Sequence, residues 1–456
     1  MLYLGCWVLG LGLTLIGCAH VVENTTTSTT TTTTSTASTT STSPSPSTST
    51  TTTTTLPQLA APTYVLASGS YEANTITVTI ESSTSGTIIY YTTDESAPTT
   101  SSPQYSSPLT LLSSKTIKAI ATKSGWLDSN PSTAWYDLYW WQPLGSGMDS
   151  IVAALYWDGS NLYAGGSFTN AGGTTVNYIA KWDGSSWSAL GTGMNNTTQV
   201  LTGDGSNIYA GGAFTTAGGI AANRVAMWNG STWSNLDVGM DKTVYALAWD
   251  GSNLWAGGSF TMAGGFPAMR FASWNGGAWS SPVVGMDSDI YALIWNGSYI
   301  YAGGNFTTAG GFPASSIARW EGANWAALAG GGMNGPISSL AWDGSNLYAG
   351  GSFSTPASCV AGWDSANWSA LGSETYDNFV TALAWAGSDL YVGGVFTNPS
   401  AYITKWNGSS WSDVGSGMNN NVNALAWDGA NLYAGGSFTS AGGVSTNYIA
   451  KWGRKN

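Results

Sequence analysis

One motif recurs seven times across the last two-thirds of the chain, beginning at Gly147, Gly193, Gly239, Gly285, Gly332, Glu374 and Gly417. A fixed period of this size means a solenoid, a propeller or an array. The seventh copy stops at Lys451-Trp452-Gly453. It lacks the segment that reads Trp187-Ser188-Ala189-Leu190-Gly191 in the first copy. That segment stands upstream of the first copy instead, as Trp141-Gln142-Pro143-Leu144-Gly145. A chain that supplies the last strand of its last repeat from its own N-terminal side is closing a ring. An open solenoid has no use for that arrangement.

Each copy reads as four short strands. In the first copy the alternation of aromatic and aliphatic residues predicts strands over 152–157, 162–168, 178–182 and 187–190. The first two are joined at Asp158-Gly159 and the last two at Asp183-Gly184. Such dipeptides supply the positive φ that tight hairpins need. No 3.6-residue apolar stripe occurs, so helices are not expected. Four strands per repeat make a propeller blade. The expected fold is all-β: a seven-bladed β-propeller closed by an N-terminal outer strand, preceded by a small β domain.

Tryptophan gives an independent count, with 25 in the chain. Seven fall in the third strand (Trp182 to Trp452) and seven in the fourth (Trp187 to Trp411, with Trp141 completing the set). Rings of this kind can cradle carbohydrate. A structural role is the preferred expectation, because a large aromatic between neighbouring blades buries ~150–250 Å². A di-glycine follows an aromatic in every copy, from Gly165-Gly166 to Gly435-Gly436. Glycine inside a strand marks a bulge or a close backbone approach.

The order Leu162-Tyr163-Ala164-Gly165-Gly166, then Trp182 and Trp187, resembles the kelch repeat. It is closer still to bacterial and fungal surface propellers whose repeats read G-G-S-F-T…A-K-W-D-G-S-S-W. The resemblance implies a propeller; propellers of this kind bind proteins, bind sugars or catalyse.

Four regions are expected: a signal peptide (1–17), a tether (18–60), a small β domain (61–138) and the propeller (139–456). The apolar run ending in Leu15-Ile16-Gly17-Cys18 resembles the lipobox of bacterial lipoproteins. That resemblance implies cleavage before Cys18 and a diacylglycerol on its sulfur; a plain signal peptide is the alternative. Ala19 after the cysteine points to the outer membrane and the cell surface. From Asn24 to Thr55 the chain is nearly all Thr, Ser and Pro. Such a segment buries too little apolar surface to offset its ordering entropy. Fully extended at about 3.3 Å per residue it reaches ~100 Å, and as a coil ~30 Å. The following segment, with Ile88-Ile89-Tyr90-Tyr91-Thr92-Thr93-Asp94, Pro98, Tyr105, Pro108 and Ile117-Lys118-Ala119-Ile120-Ala121, resembles the chitobiase/β-hexosaminidase C-terminal domain. That family is an immunoglobulin-like sandwich and an accessory module. Glu95 stands where the family has a glycine, so the turn there should differ.

Composition narrows the chemistry. Charged residues are 8% of the chain and the net charge is −12. Nucleic acid needs a basic face, so it is not an expected partner. An electrostatic membrane footprint is not expected either, and the only membrane contact foreseen is the lipid anchor. The single histidine, His20, follows the lipobox, so neither a Ser-His-Asp site nor a histidine metal centre is expected on the propeller. Cys359 reads as an inert thiol in a third strand. Paired carboxylates could serve a glycosidase, but most acids repeat at hairpin positions where an Asx-turn accounts for them. The expectation is a non-enzyme.

Binding residues are expected on the face that carries the loops between second and third strands and between blades. Phe266-Pro267 and Phe312-Pro313 occupy matching loops of adjacent copies, and copies five and six are cut short there. Exposed, these phenylalanines would form a hot spot; tucked against a neighbouring loop, they would be structural. After Gly-Met comes an acid or amide: Asp149, Asn195, Asp241, Asp287, Asn334 and Asn419, with Asp377 in the sixth copy. A ring of these around the central opening would suit sugar hydroxyls or calcium, the one ion considered; no other cofactor is expected. The alternative is that each bonds its own backbone. The reading as a whole is a monomeric surface lipoprotein that binds a protein or glycan. A structural spacer in the envelope is the alternative.

Cys18→Ala should release the protein from membranes, because linker and head offer no other apolar anchor. Detergent phase partitioning checks this: the variant should move to the aqueous phase, and retention in detergent would end the lipoprotein reading.

Overall fold

The computed structural model describes residues 55–281 and 284–456. The expected signal segment, Cys18, His20 and nearly all of the tether lie outside them. Residues Leu56–Asn456 form one compact unit.

The protein is a β-propeller preceded by a small β domain. The first copy of the repeat forms an antiparallel sheet in the order Val152–Trp157, Leu162–Gly166, Ile179–Trp182, Trp187–Ala189. The first strand lies innermost, against the first strands of its two neighbours. The second strand ends at Gly166 and the third starts at Ile179, because Tyr178 is held at φ 68°. Asp158 shapes the first hairpin. Its Oδ1 accepts the backbone N–H of Ser160 at 2.7 Å and of Asn161 at 2.6 Å, while Gly159 takes a φ of 97°.

Seven separate blades are predicted, and the structure corrects that count: six copies stand as four-stranded sheets of their own. The seventh copy does not. Its strands Val422–Trp427, Leu432–Gly436 and Ile449–Arg454 continue into Ser132–Pro143, then Lys115–Thr122 and Ile88–Thr92, with Gly69–Tyr71 alongside. The reason is strand length. Ser132–Pro143 is twelve residues long. Its second half pairs with the last repeat, placing Trp141 opposite Trp452, and its first half pairs within the small domain. The strand therefore runs through the predicted 138/139 boundary. The upstream segment does complete the last repeat, and the inner strand Val422–Trp427 meets Val152–Trp157 of the first.

Neighbouring sheets interlock through the di-glycines. A Cβ on Gly165 would lie 2.6 Å from Thr198 Cγ2 of the next blade, which real side chains do not tolerate. The same pair marks a bulge: Ala153 is skipped between the pairs Gly165↔Ala154 and Gly166↔Val152. At the rim, the Trp187 indole N–H donates to Leu144 O at 2.9 Å and that of Trp233 to Leu190 O at 2.8 Å. Six of the seven outer tryptophans bond in this way to the chain entering their blade from the blade before; Trp325 does not. Each also packs on its cross-strand partner; the Trp182 and Trp187 rings lie 5.3 Å apart. Most of these indoles are buried in the walls of the ring.

The small domain buries Val78, Ile80, Ile89, Ile117, Tyr136 and Leu138 in a core of its own. Pro57 and Leu59 bond to Leu127, so packing begins slightly before residue 61. Glu95 adopts a φ of 65°, where the related family has a glycine. Cys359 is buried and free, and it precedes its strand at a φ of 62° rather than lying within it. Burial pushes its thiol pKa up.

Deleting residues 140–145 should unfold or aggregate the protein. It removes the outer strand of the closing sheet together with Trp141, which is 1% exposed; truncating one such buried Trp alone costs about 3–5 kcal/mol. Thermal melts check this: equal melting temperatures for deleted and intact chains would refute closure by this strand.

Candidate binding face

Loops between second and third strands share one face with the blade-to-blade loops. On five copies the former carry a two-stranded ribbon, such as Asn170–Ala171 with Thr174–Thr175. The loops of copies five and six are too short for one. The face is therefore uneven. Over the missing ribbons lies a hollow of about 430 Å³ lined by Ser354, Ser358, Tyr376, Asn378 and Phe379 among others.

The acid or amide after each Gly-Met sits at the root of these loops. Asp149 Oδ1 accepts the N–H of Thr169 at 2.8 Å and of Asn170 at 3.0 Å, and Oδ2 accepts the Thr169 hydroxyl at 2.7 Å. Asn195 makes the same pattern with Thr215 and Thr216, and its amide N–H₂ donates to Thr215 Oγ1 at 2.8 Å. Asp241 clamps Thr261 and Met262; Asp287 clamps Thr307 and Thr308. Asn334, Asp377 and Asn419 repeat the arrangement with Ser354–Thr355, Thr397–Asn398 and Thr439–Ser440. Seven equivalent side chains thus clamp the exit of the second strand some twenty residues downstream, not their own turn. Their oxygens point into their own blades rather than converging on one centre, which is not the geometry a shared calcium ion requires. Among the described residues, no three His, Cys, Asp or Glu side chains group as a metal site.

The hydrogen bonds set the titration of these acids. Burial pushes the Asp149 carboxyl up, but the donors from Asn170 and Thr169 outweigh it and bring its pKa down to about 2. Asp241 and Asp287 are lowered against the same opposing burial. Asp377 is lowered by the Thr397 hydroxyl first.

The predicted phenylalanines stand on ribbons held by these clamps. Phe266 pairs with Ala263 and Phe312 with Ala309. Phe266 is 70% exposed and Phe312 67%, so neither ring is tucked against a neighbouring loop. Sequence reading missed their surroundings. Ile220 holds the same ribbon position in blade two, and Val238, Met269 and Val284 are exposed on the adjoining loops. Val284 lies beside Gly311, next to Phe312. Aligning the copies on Gly219-Ile220, Gly265-Phe266 and Gly311-Phe312 would have found the set. The inner bulge residues of the same two blades, Tyr245 and Tyr291, meet edge to face at 5.7 Å. Nearby, Arg270 Nε lies 3.5 Å from Asp289 Oδ1, and an Arg270 Nη donates to Met286 O at 3.0 Å. Blades three and four therefore present an apolar and aromatic sector on a rigid base.

Comparison with known proteins agrees with this architecture. Residues 66–133 match the chitobiase/beta-hexosaminidase C-terminal domain, and residues 285–427 match the Rax2 C-terminal beta propeller domain. No curated protein matches the chain. Among solved structures, the extracellular domain of a hybrid two-component system protein from B. thetaiotaomicron aligns with 13% identity and a TM-score of 0.45. That alignment covers 69% of this chain and 42% of the other, so the chain spans less than half of that protein domain. The WD40 beta propeller domain of Doa1 aligns with 11% identity over 68% of this chain and 96% of its own, TM-score 0.44. The Pan2 WD40 domain of Neurospora crassa aligns with 13% identity over 69% and 96%, TM-score 0.42. Likenesses this weak carry no argument about this chain. No helix of the described residues is long and apolar enough to cross a membrane.

Asp149→Ala should lower the melting temperature by several degrees at pH 7, whereas Asp149→Asn should stay within about one degree, as expected for a well-placed hydrogen-bond network. Asparagine serves the same loop at 195, 334 and 419. The folded pKa lies below the unfolded value of ~3.9. The Asp149 contribution is therefore complete above pH ~4 and lost as pH falls through about 2. Melts from pH 7 to 2 check this: the Asn variant should lose less stability with acid than the parent.

Proposed function

We propose that the protein is a surface-anchored bacterial lipoprotein whose propeller is a binding or adhesion module. The partner, a protein or glycan at the cell surface, docks on the loop face over blades three and four. One observation carries this reading: two phenylalanine rings, about two-thirds exposed, stand on adjacent clamped ribbons among further exposed aliphatics. Contiguous exposed apolar surface rimmed by polar residues marks an interaction site. Aromatic anchors on rigid supports act as hot spots, because little conformational entropy is lost on docking. Loops on a stiff scaffold are where binding residues concentrate.

In this reading the ring is a seven-sector, kelch-like propeller in which the composite sheet serves as the seventh blade. The small domain is an immunoglobulin-like sandwich and acts as a spacer above the anchor. The lipid on Cys18 is the membrane contact, in the outer membrane, and the protein works as a monomer. It carries out no reaction. Its acids support this, since those at hairpins and loop roots are spent on backbone N–H groups.

Phe266→Ala with Phe312→Ala should weaken partner binding at least 30-fold, the effect of losing about 2 kcal/mol at a hot spot. The melting temperature should move by about one degree or less, since neither ring is in a core. Titration of both proteins onto immobilised surface proteins and glycans checks this. Unchanged binding at unchanged stability would remove this sector, and a large drop in stability would mean that the rings are structural.

A further inference from the structure

A second site lies away from the loop face, at the seam between the small domain and the last two copies of the repeat. Its origin is a departure from the repeat. In three other blades the tyrosine of the second strand donates its hydroxyl to the aspartate that opens the first hairpin. Tyr209 donates to Asp204, Tyr348 to Asp343 and Tyr433 to Asp428, each at 2.9 Å. In blade three an indole does the same, Trp255 to Asp250 at 2.6 Å. The equivalent pair in blade six is Tyr391 and Ala386. Alanine offers no acceptor, and Ala386 pairs with Asp389 across a plain two-residue hairpin. The carboxylate has moved from the first hairpin position to the fourth. Tyr391 is 7% exposed as a residue, yet its hydroxyl makes no hydrogen bond to another described residue and, unlike that of Tyr376, is not sealed from solvent but opens into the adjoining cavity.

Tyr391 lines a cavity of about 490 Å³, a size that suits a small ligand. Tyr139, Trp427 and Trp452 supply aromatic wall. Asp389 and Lys405 come from blade six, and Glu72 from the small domain closes the rim. Glu72 holds the two parts together: its Oε1 accepts from Lys405 Nζ at 3.0 Å and its Oε2 from Gly415 N at 2.9 Å. Lys405 is thereby neutralised. Asp389 has only the Ser388 hydroxyl, at 3.1 Å. Two carboxylates against one ammonium disfavour an anionic ligand. With Lys405 paired to Glu72, the Asp389 carboxylate is free to accept hydrogen bonds from the hydroxyl groups of a ligand. Aromatic faces beside both donors and acceptors suit a flat apolar ring face edged with hydroxyls.

We propose that this seam cavity binds an uncharged saccharide, with the Tyr391 hydroxyl and the Asp389 carboxylate bonding its hydroxyl groups and the aromatic wall taking its ring face. The site is independent of the loop face over blades three and four. It exists only while the small domain and the propeller stay joined, because Glu72 comes from one side of the seam and Asp389 from the other.

The test uses the full chain and a panel of neutral gluco-, galacto-, manno- and N-acetylhexosamine oligosaccharides, first on an array and then by calorimetric titration of the strongest binder. Ala386→Asp restores the partner that other copies possess and should weaken binding at least tenfold. Tyr391→Phe deletes the hydroxyl without changing the ring and should weaken it about fivefold. Both should melt with the parent; should Ala386→Asp melt early, Tyr391→Phe decides. The double Phe266→Ala, Phe312→Ala variant should bind these sugars as the parent does. Absence of any neutral binder would overturn the proposal. So would unchanged affinity in Tyr391→Phe, or loss confined to the double phenylalanine variant, which would place the sugar on the loop face.

Discussion

The interlock between adjacent blades is the contact on which everything else in this ring depends. A bare glycine pair in one second strand receives a side chain from the next inner strand: Thr198 at Gly165, Val244 at Gly211, Ile290 at Gly257, Val152 at Gly435. At the rim, indole N–H groups bond back to the preceding segment, and Trp141 completes the series by donating to Val414 O at 3.0 Å. Every sheet exposes a wall that only a neighbour can bury, so no sheet is satisfied alone. The series ends without a loose wall because Val152, from the first copy, fills the glycine of the last.

Closure has a consequence for the small domain. The strand that completes the ring is the same strand that completes the small domain, so one backbone hydrogen-bond ladder passes through both. Side chains reinforce the joint. Arg454 Nη2 lies 2.6 Å from Asp137 Oδ1, and the Lys455 ammonium sits 4.5 Å above the centre of the Trp140 ring while donating to Asn74 O at 2.9 Å. Shared ladders resist bending better than a linker between two cores. The propeller and the small domain therefore share one continuous sheet, and cavities at their junction can hold a fixed geometry.

The candidate binding features gather where copies depart from their common pattern. The common pattern spends its polar groups internally: hairpin aspartates on turn N–H groups, loop-root Asx residues on the second-strand exit. Departures leave groups unspent. Phenylalanine replaces smaller residues at two ribbon tips, ribbons are missing from two loops, and alanine replaces aspartate at one hairpin. Each departure breaks the equivalence of the blades, and a ring with one distinctive sector can take one partner in one orientation. A low content of charge, net acidic, leaves such recognition to aromatic and neutral polar contacts rather than to steering.

The period, the strands and the ring were legible in the sequence because they are local or repeated: alternation within five residues, Asp-Gly between strands, and a missing segment found upstream. The role of each tryptophan followed from the same repetition. The fusion of the seventh copy with the small domain was not legible, because pairing over Ser132–Pro143 joins residues hundreds of positions apart and no local pattern marks where one ladder stops. The Asx residues were visible as a repeated pattern, yet their partners lie twenty residues along, a distance set by how the blade folds back. Exposure of Phe266 and Phe312, against burial of other aromatics, was a matter of three-dimensional packing. So was the isolation of the Tyr391 hydroxyl: the sequence shows Ala386 in place of aspartate, but only the packed seam shows that nothing else takes its role. Residue order determined which elements form and how often, since those depend on neighbours a few bonds away; the tertiary structure alone decided which polar groups are left without partners, since that depends on what folds against them.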